Sequence, residues 1–170
     1  MFHELLSDRD VTEGLRKTAI VDKTPSVASA ALVSSYHLLP VARDVVRRWQ
    51  SETQEAASST KSSGGFSLGF GTSSSHSLAA STSNMTQYHA IGLLYQMRSH
   101  DRMAVVKMVQ QYSAAGVTKS AAATMLLVRL AAKLAEEDQG LRKPMMQLLD
   151  GWLRHVRHFR LSILIFALPG

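Results

Sequence analysis

Histidine is the residue type here best suited to metal or acid–base chemistry, and seven are present. Only His155 and His158 stand at a spacing that would place them on one face of a helix. A zinc site needs a third ligand, usually oriented by neighbouring hydrogen bonds, and neither histidine has a carboxylate four residues later. We therefore predict no metal here, and interpret the basic segment Arg154–Arg160 as an exposed cationic helix end.

Patterns for covalent or cofactor chemistry are weak. Serine is abundant. The letters G-x-S-x-G occur at Gly65–Gly69 and S-x-x-K at Ser58–Lys61, but both lie in a Ser/Gly-rich segment with no strand predicted before the serine, so neither has the context of a catalytic motif. The adjacent acids Glu136–Asp138 indicate a solvated turn, because paired catalytic carboxylates normally converge from separate elements. Gly69-Phe70-Gly71 lacks the third glycine of a dinucleotide loop. The sequence therefore predicts a protein that is not an enzyme and that has no catalytic residues, no cofactor and no small-molecule substrate.

Composition narrows the class further. Hydrophobic residues make up 45% of the 170 residues, and there is no cysteine for a disulfide or a thiolate metal site. The net charge is +6, but the basic residues are scattered without clustered aromatics, which predicts solvated helix faces and no nucleic-acid site. The most apolar run, Leu161–Leu168, is much shorter than a membrane span of roughly 20 residues. The N-terminus has no apolar core of a secretory signal.

The residues considered so far would be positioned by helices. Thr24 and Pro25 mark the first start, and Pro40 should end this helix by pushing Leu39 out of helical geometry. Small and apolar residues between them form one stripe: Val27, Ala30, Ala31, Ser34 and Leu38. A second helix is predicted from about Val41, with its arginines largely outside the inner face. That face would contain Val41, Val45, Val46 and Trp49.

The segment Ser58–Asn84 is mostly Ser, Gly, Thr and Ala, with no acidic residue and no apolar period. Ordering backbone costs about 1–2 kcal/mol per residue, which burial here cannot offset, so a disordered loop is predicted. Asn84 and Gln87 then have the form of a capping box that starts the next helix. Its stripe would contain Tyr88, Ile91, Gly92 and Tyr95.

Three further helices are predicted. After a corner at Arg98–Asp101, the first would bury Ala104, Val105, Met108, Val109 and Tyr112. Gly116 would supply a left-handed stop, and Thr118 or Ser120 would cap a helix from Lys119 to about Glu136. That helix is apolar nearly all round, which predicts neighbouring helices on several sides. Its apolar residues are Met125, Leu126, Leu127, Val128, Leu130, Ala131, Ala132 and Leu134. The last would begin at Pro144 and point Met145, Leu148, Leu149, Trp152 and Leu153 inward.

The spacing of these helices predicts the architecture. Paired starts lie about 16 residues apart both before and after the Ser/Gly segment, and pairs recur about every 33–35 residues once that segment is left out. Such a period with two helices per unit favours an all-α superhelix over a closed bundle. The predicted organisation is helical hairpins at 1–57, a disordered insertion at 58–84, further repeats at 85–157 and an atypical apolar tail at 158–170.

Four short segments carry a more specific resemblance. They are Ala19–Lys23 (AIVDK), Ala31–Ser35 (ALVSS), Gln54–Ser58 (QEAAS) and Gln87–Ala90 (QYHA). With them, the sequence resembles the N-terminal trunk of coatomer gamma subunits from about residue 18 to 155, interrupted by the Ser/Gly segment. The chain is far shorter than such a subunit, and the resemblance stops abruptly after about His155, so a truncated or mis-spliced gene model or an isoform is expected.

The resemblance implies a HEAT/armadillo-like adaptin solenoid. It also implies a structural role in the COPI coat of retrograde Golgi-to-ER and intra-Golgi vesicles, on the cytosolic face of the Golgi membrane. Implied partners are the other coatomer subunits, zeta in particular, and an Arf-family GTPase. No contact residues are predicted. The alternative is a stand-alone helical-repeat adaptor or regulatory protein outside the coat.

Two expectations concern packing. Trp49 and Trp152 should be largely buried between helices, because aromatics on an apolar stripe anchor neighbouring repeats. The tail Leu161–Leu168 has isoleucines and a phenylalanine that favour strand, and an exposed apolar segment of this kind promotes self-association.

Overall fold

The computed structural model describes the backbone of residues 13–58, 75–114 and 116–166, and the side chains of these residues except those of 75–83 and 155–166. All regular structure within these residues is helical, as the all-α prediction requires. The helices are α1 (13–20), α2 (Pro25–Leu38), α3 (Arg43–Arg47), α4 (Gln50–Ser58), α5 (Ser75–Arg98), α6 (Arg102–Ser113), α7 (Ala121–Glu137) and α8 (Gln139–Phe166).

Contacts between helices define two layers. Helices α2, α5 and α7 lie side by side in one layer, with α5 packed against both neighbours. The other layer contains α3 and α4, followed by α6 and then α8. Helix α5 contacts α3, α4 and α6 of this layer, and α7 contacts α6 and α8. This is the stacking of helical hairpins that the repeat spacing predicts. Helix α1 is joined to the second layer by ion pairs of Lys17 with Glu52 (3.2 Å) and of Arg48 with Glu13 (3.5 Å).

Helix α2 begins at Pro25 and ends at Leu38, as predicted. The expected cause of its end is wrong, because Leu39 keeps right-handed helical angles (φ −55°, ψ −40°). Pro40 interrupts the hydrogen-bond ladder instead, because it has no N–H to donate. The predicted stripe is also wrong. The buried side of α2 is formed by Ala28, Leu32 and Ser35, whereas the predicted face is exposed or half-buried.

The predicted second helix is divided in two. Arg48 and Trp49 form a tight turn between α3 and α4, with their N–H groups bonded to carbonyls three residues earlier. Val46 and Trp49 are buried as predicted, but Val41 is 86% exposed and precedes the helix. The side chain of Trp49, at the end of this turn, lies in the core, and α4 starts at the next residue.

Helix α5 starts at Ser75, so the predicted start at Asn84 is wrong and Asn84 lies within the helix. Residues 59–74 of the predicted disordered segment lie outside the described residues. From Ala90 onward α5 is buried nearly all round, because it has neighbours in both layers. Its predicted stripe is part of this buried surface, to which Ala90, Leu93, Leu94 and Met97 also belong.

The Gln87 side chain of α5 connects three separate segments. Its Nε2 donates to the carbonyl oxygens of Ala57 and Val117, both at 3.0 Å. Its Oε1 accepts from the backbone N–H groups of Lys119 and Ser120, also at 3.0 Å. Since a primary amide offers two donors and two acceptor positions, Gln87 is fully used, and it ties α5 to the end of α4 and the start of α7.

Two further hydrogen bonds fasten α5 to α2. Thr86 Oγ1 donates to the carbonyl of Pro25 (3.0 Å), and Tyr36 Oη donates to the carbonyl of His89 (3.1 Å). The Tyr36 ring reaches its acceptor by crossing Gly92 closely. A Cβ at position 92 would lie 2.0 Å from Tyr36 Oη, so only glycine admits this contact.

The later helix ends follow local sequence signals. Asp101 caps α6 by accepting from the Ala104 N–H (3.0 Å), and Ser120 caps α7 by accepting from the Ala123 N–H (3.2 Å). Gly116 lies between them with φ +80° and supplies the predicted left-handed turn. The predicted inner residues of α6 are buried or half-buried, and α7 packs against α5, α6 and α8 as predicted. Met125 is an exception, since it is 56% exposed.

Helix α8 departs most from the sequence predictions. It begins at Gln139, so Pro144 lies inside the helix and not at its start. Met145 is buried and Trp152 is half-buried, but Leu153, predicted to point inward, is 65% exposed. The backbone stays helical to Phe166, which contradicts the strand preference inferred for the tail.

Candidate interaction surfaces

The titratable side chains of the described residues are dispersed. His37 is exposed on α2, His89 is half-buried, and the His100 ring contacts the guanidinium of Arg47. Burial lowers the pKa of His89, whose ring meets that of Tyr88 edge to face. Within the described residues no three His, Asp or Glu side chains are grouped as metal ligands would be. The side chains of His155 and His158 lie outside the described set.

The acidic corner between α7 and α8 has a structural role. Asp138 Oδ1 accepts from the Gly140 N–H (2.8 Å), and its Oδ2 pairs with Arg102 (3.1 Å). The Gly140 N–H is the main cause of the lowered pKa of Asp138, and Arg102 adds to it. Glu136 and Glu137 are exposed. Asp138 thus fastens the start of α8 to α6, and the exposure of Glu136 and Glu137 agrees with the predicted solvated turn.

A cleft in the described part of the chain opens between α5, α6 and α7. We call it the inter-repeat cleft; its volume is about 510 Å³. Its floor is apolar and comes from the core residues Val105, Leu130 and Leu134. The polar residues that line it are Tyr95, Ser99, His100, Arg102, Lys133 and Glu137.

Cations stand at two sides of this cleft. Lys133 Nζ lies 3.3 Å from Tyr95 Oη and 3.7 Å from Glu137 Oε1. The hydrogen bond to Tyr95, followed by nearby charge, raises the pKa of Lys133. Arg102 stands at the other side, where its ion pair with Asp138 fixes its position. An apolar floor with a charged mouth can hold an anchor side chain and orient what flanks it.

A second exposed surface is the outer side of α2. Val27 and Val33 are 44% and 36% exposed there, and they are accompanied by small residues and His37. Ala30 and Ser34 of the predicted stripe lie on this surface, whereas Ala31 and Leu38 of that stripe pack against the core. The surface is shallow and carries little charge.

Sequence reasoning named several of the cleft residues as core or turn residues but did not bring them together as a site. They come from three helices and the turn after α5, and Tyr95 is 38 positions from Lys133. The only signal available was the pair of basic residues, Arg129 and Lys133, in the otherwise apolar Met125–Leu134 stretch, and taken alone they indicate solvent exposure.

Comparison with known proteins places this architecture in a family. The sequence profile of the adaptin N-terminal region matches residues 5–161, which is most of the chain. The chain belongs to the adaptin N-terminal family. The two layers of stacked helices are the helical solenoid expected of that family, so the fold inferred from spacing and the family inferred from four short segments are both confirmed.

Relatives within the adaptin N-terminal family are coatomer subunits. Coatomer subunit gamma-1 of Homo sapiens is 40% identical over 162 residues, which are 93% of this chain and 16% of that protein. Coatomer subunit gamma-2 of Danio rerio is 41% identical over 144 residues (84% and 14%), and a probable coatomer subunit gamma of Schizosaccharomyces pombe is 38% identical over 143 residues (84% and 16%). The chain therefore spans about one sixth of the length of these relatives.

None of the helices in the described residues is both long enough and apolar enough to cross a membrane.

Proposed function

We propose that this chain is a scaffold segment of a COPI-type vesicle coat subunit and has no catalytic activity of its own. The observation that carries the proposal is the identity of about 40% to coatomer gamma-1 over 93% of the chain. Similarity that extends over almost the whole chain favours retention of the fold as a whole, not of a single motif.

The packing supports a scaffolding role. Helix α5 is held to α2 by Thr86 and Tyr36 and to α4 and α7 by Gln87. Buried polar groups that are fully satisfied fix one arrangement of neighbouring elements. Such a framework keeps exposed faces of different helices at constant distances, which is what a coat subunit requires when it positions several partners.

In this role the partners would be other coatomer subunits, zeta among them, and an Arf-family GTPase that recruits the coat. The chain would act at the cytosolic face of Golgi membranes and COPI vesicles, in retrograde Golgi-to-ER and intra-Golgi transport. Its contact with the membrane would be peripheral and made through the complex.

The test is affinity purification of the tagged chain from cytosol, with coatomer subunits quantified by mass spectrometry. We expect several coatomer subunits to co-purify in comparable amounts. The exposed substitution Lys143→Ala should leave this recovery unchanged, whereas Gln87→Ala, which loosens the helix packing, should reduce it.

One alternative has its own support. Because the chain spans about one sixth of its relatives, it could act as a separate helical-repeat adaptor outside the coat. A folded chain that recovers no coatomer subunit would contradict the coat proposal and favour the adaptor.

A further inference from the structure

We infer that the inter-repeat cleft binds a short acidic peptide segment of a partner protein, with one apolar side chain of the peptide as its anchor. The inference rests on the apolar floor, the position of the cations and the size of the cleft. It goes beyond the proposed function, since it concerns this chain alone and holds whether or not the chain enters a coat.

The floor of the cleft suits an apolar anchor. Val105, Leu130 and Leu134 are core residues that are only 3–5% exposed. All three line the cleft with this exposed surface. An aliphatic or aromatic side chain placed there would bury apolar area without disturbing the fold, at about 25 cal/mol for each Å² removed from water. A volume of about 510 Å³ lies within the range of sites that enclose a ligand.

The mouth of the cleft suits acidic flanking residues. Lys133 and Arg102 stand on opposite helices, and their side chains are 56% and 51% exposed, so both remain accessible to a ligand. Each is already oriented, Lys133 by the Tyr95 hydroxyl and Arg102 by Asp138. Orienting a cation before binding reduces the side-chain entropy that binding would otherwise cost.

The charge balance around the mouth favours a carboxylate over a cation. The lining residues carry two permanent cations, Arg102 and Lys133, and one carboxylate, Glu137. The guanidinium of Arg47 adds a further cation beside the lining residue His100. The carboxylate of Asp138 is engaged by the Gly140 N–H as well as by Arg102. The net charge of +6 adds a long-range attraction for acidic segments.

The experiment uses fluorescein-labelled synthetic peptides and fluorescence polarisation with the full chain at low salt. The main probe has a central leucine flanked on both sides by glutamates. One comparison probe replaces the leucine by alanine, and another replaces the glutamates by lysines. We expect saturable binding of the main probe, about tenfold weaker binding of the alanine probe and none of the lysine probe. Binding of the main probe should weaken as salt is raised.

Matched charge reversals locate the site on the protein. Lys133→Glu should weaken binding of the main probe at least about tenfold, a loss of about 1.4 kcal/mol. Lys143→Glu makes the same change at an exposed position of α8 and should alter binding less than about twofold. Circular dichroism verifies that both variants are folded.

Several results would overturn the inference. They are the absence of saturable binding, equal losses in the two variants, and equal binding of the leucine and alanine probes. None of these results bears on whether the chain co-purifies with coatomer subunits, so this inference and the proposed function fail separately.

Discussion

At the scale of single residues, Gln87 shows how a buried polar side chain determines the arrangement of helices. All four of its hydrogen-bonding positions are used, and its partners are backbone groups in two other parts of the chain. Its removal would leave those groups without a side-chain partner in a region that is largely closed to water. The cost of an unsatisfied buried group exceeds the net gain of an ordinary hydrogen bond.

We therefore expect Gln87→Ala to lower the free energy of unfolding by about 3 kcal/mol, as measured by urea denaturation. Gln96→Ala is the matched control, because Gln96 is an exposed residue of the same helix, and its effect should be within about 0.5 kcal/mol. Similar losses in the two variants would mean that the Gln87 network contributes little.

Gly92 illustrates a steric requirement at the same scale. Alanine normally stabilises a helix by up to about 1 kcal/mol over glycine, but at position 92 its Cβ would overlap Tyr36 Oη. We expect Gly92→Ala to reduce stability by about 1–3 kcal/mol. Gly151→Ala, where a Cβ would meet nothing within 4 Å, should be neutral or stabilising.

A double-mutant cycle with Tyr36→Phe tests the cause. Removing the hydroxyl relieves the overlap, since the next ring atom would be 3.3 Å from the new Cβ. The combined variant should therefore be more stable than the sum of the single effects predicts. Strict additivity would show that another contact is responsible.

At the scale of elements, helix boundaries could be predicted where the signal is local. Gly116 forms its left-handed turn where the sequence placed it, and Ser120, one of the two residues predicted as a cap, caps α7. A cap or a left-handed turn depends on a few neighbouring residues. The start of α5 was not predictable, since residues 75–84 have helical backbone without an apolar period. Capping chemistry at Asn84 was therefore mistaken for a boundary.

The buried face of α2 was wrong for a different reason. Small and apolar residues occur on several sides of this helix, so more than one stripe satisfies helical spacing. Contact with α5 selects the side of Leu32. Periodicity alone could not make that choice.

The two prolines of α2 and α8 give a prediction at this scale. Pro144 lies inside α8, where its nitrogen cannot donate to the carbonyl of Gly140. We expect Pro144→Ala to raise the free energy of unfolding by about 2 kcal/mol. Pro25 stands at the start of α2, where no intrahelical donor is needed, so Pro25→Ala should cost less than about 1 kcal/mol. Thermal unfolding followed by circular dichroism compares them, and a loss of stability in Pro144→Ala would contradict this account.

At the scale of the whole molecule, the solenoid was predictable and the inter-repeat cleft was not. Repeat spacing is a one-dimensional property that a sequence displays directly. The cleft combines side chains of α5, α6 and α7 that are far apart in the sequence, and no motif links Tyr95 to Lys133. Only the stacking of repeats brings them together.

The open side of α8 leads to a prediction about assembly. Helix α8 packs chiefly against α7, and Met146 and Leu153 are 54% and 65% exposed on it. A solenoid repeat buries its apolar face against a neighbour, and an uncovered face tends to find one in another molecule. The backbone continues as helix to Phe166 through the most apolar run of the sequence. We therefore expect the isolated chain to self-associate through α8.

Analytical ultracentrifugation at tens of micromolar tests this expectation. The full chain should show a mass that rises with concentration, and a variant truncated after Arg157 should remain closer to monomer and be more soluble. Leu153→Glu should reduce association in the full-length chain, because it places a charge on the exposed apolar side. Met125→Glu is its control, since Met125 is an apolar residue of α7 that is also more than half exposed. If the full chain is monomeric, or if Met125→Glu disrupts association as strongly as Leu153→Glu does, α8 is not the associating surface.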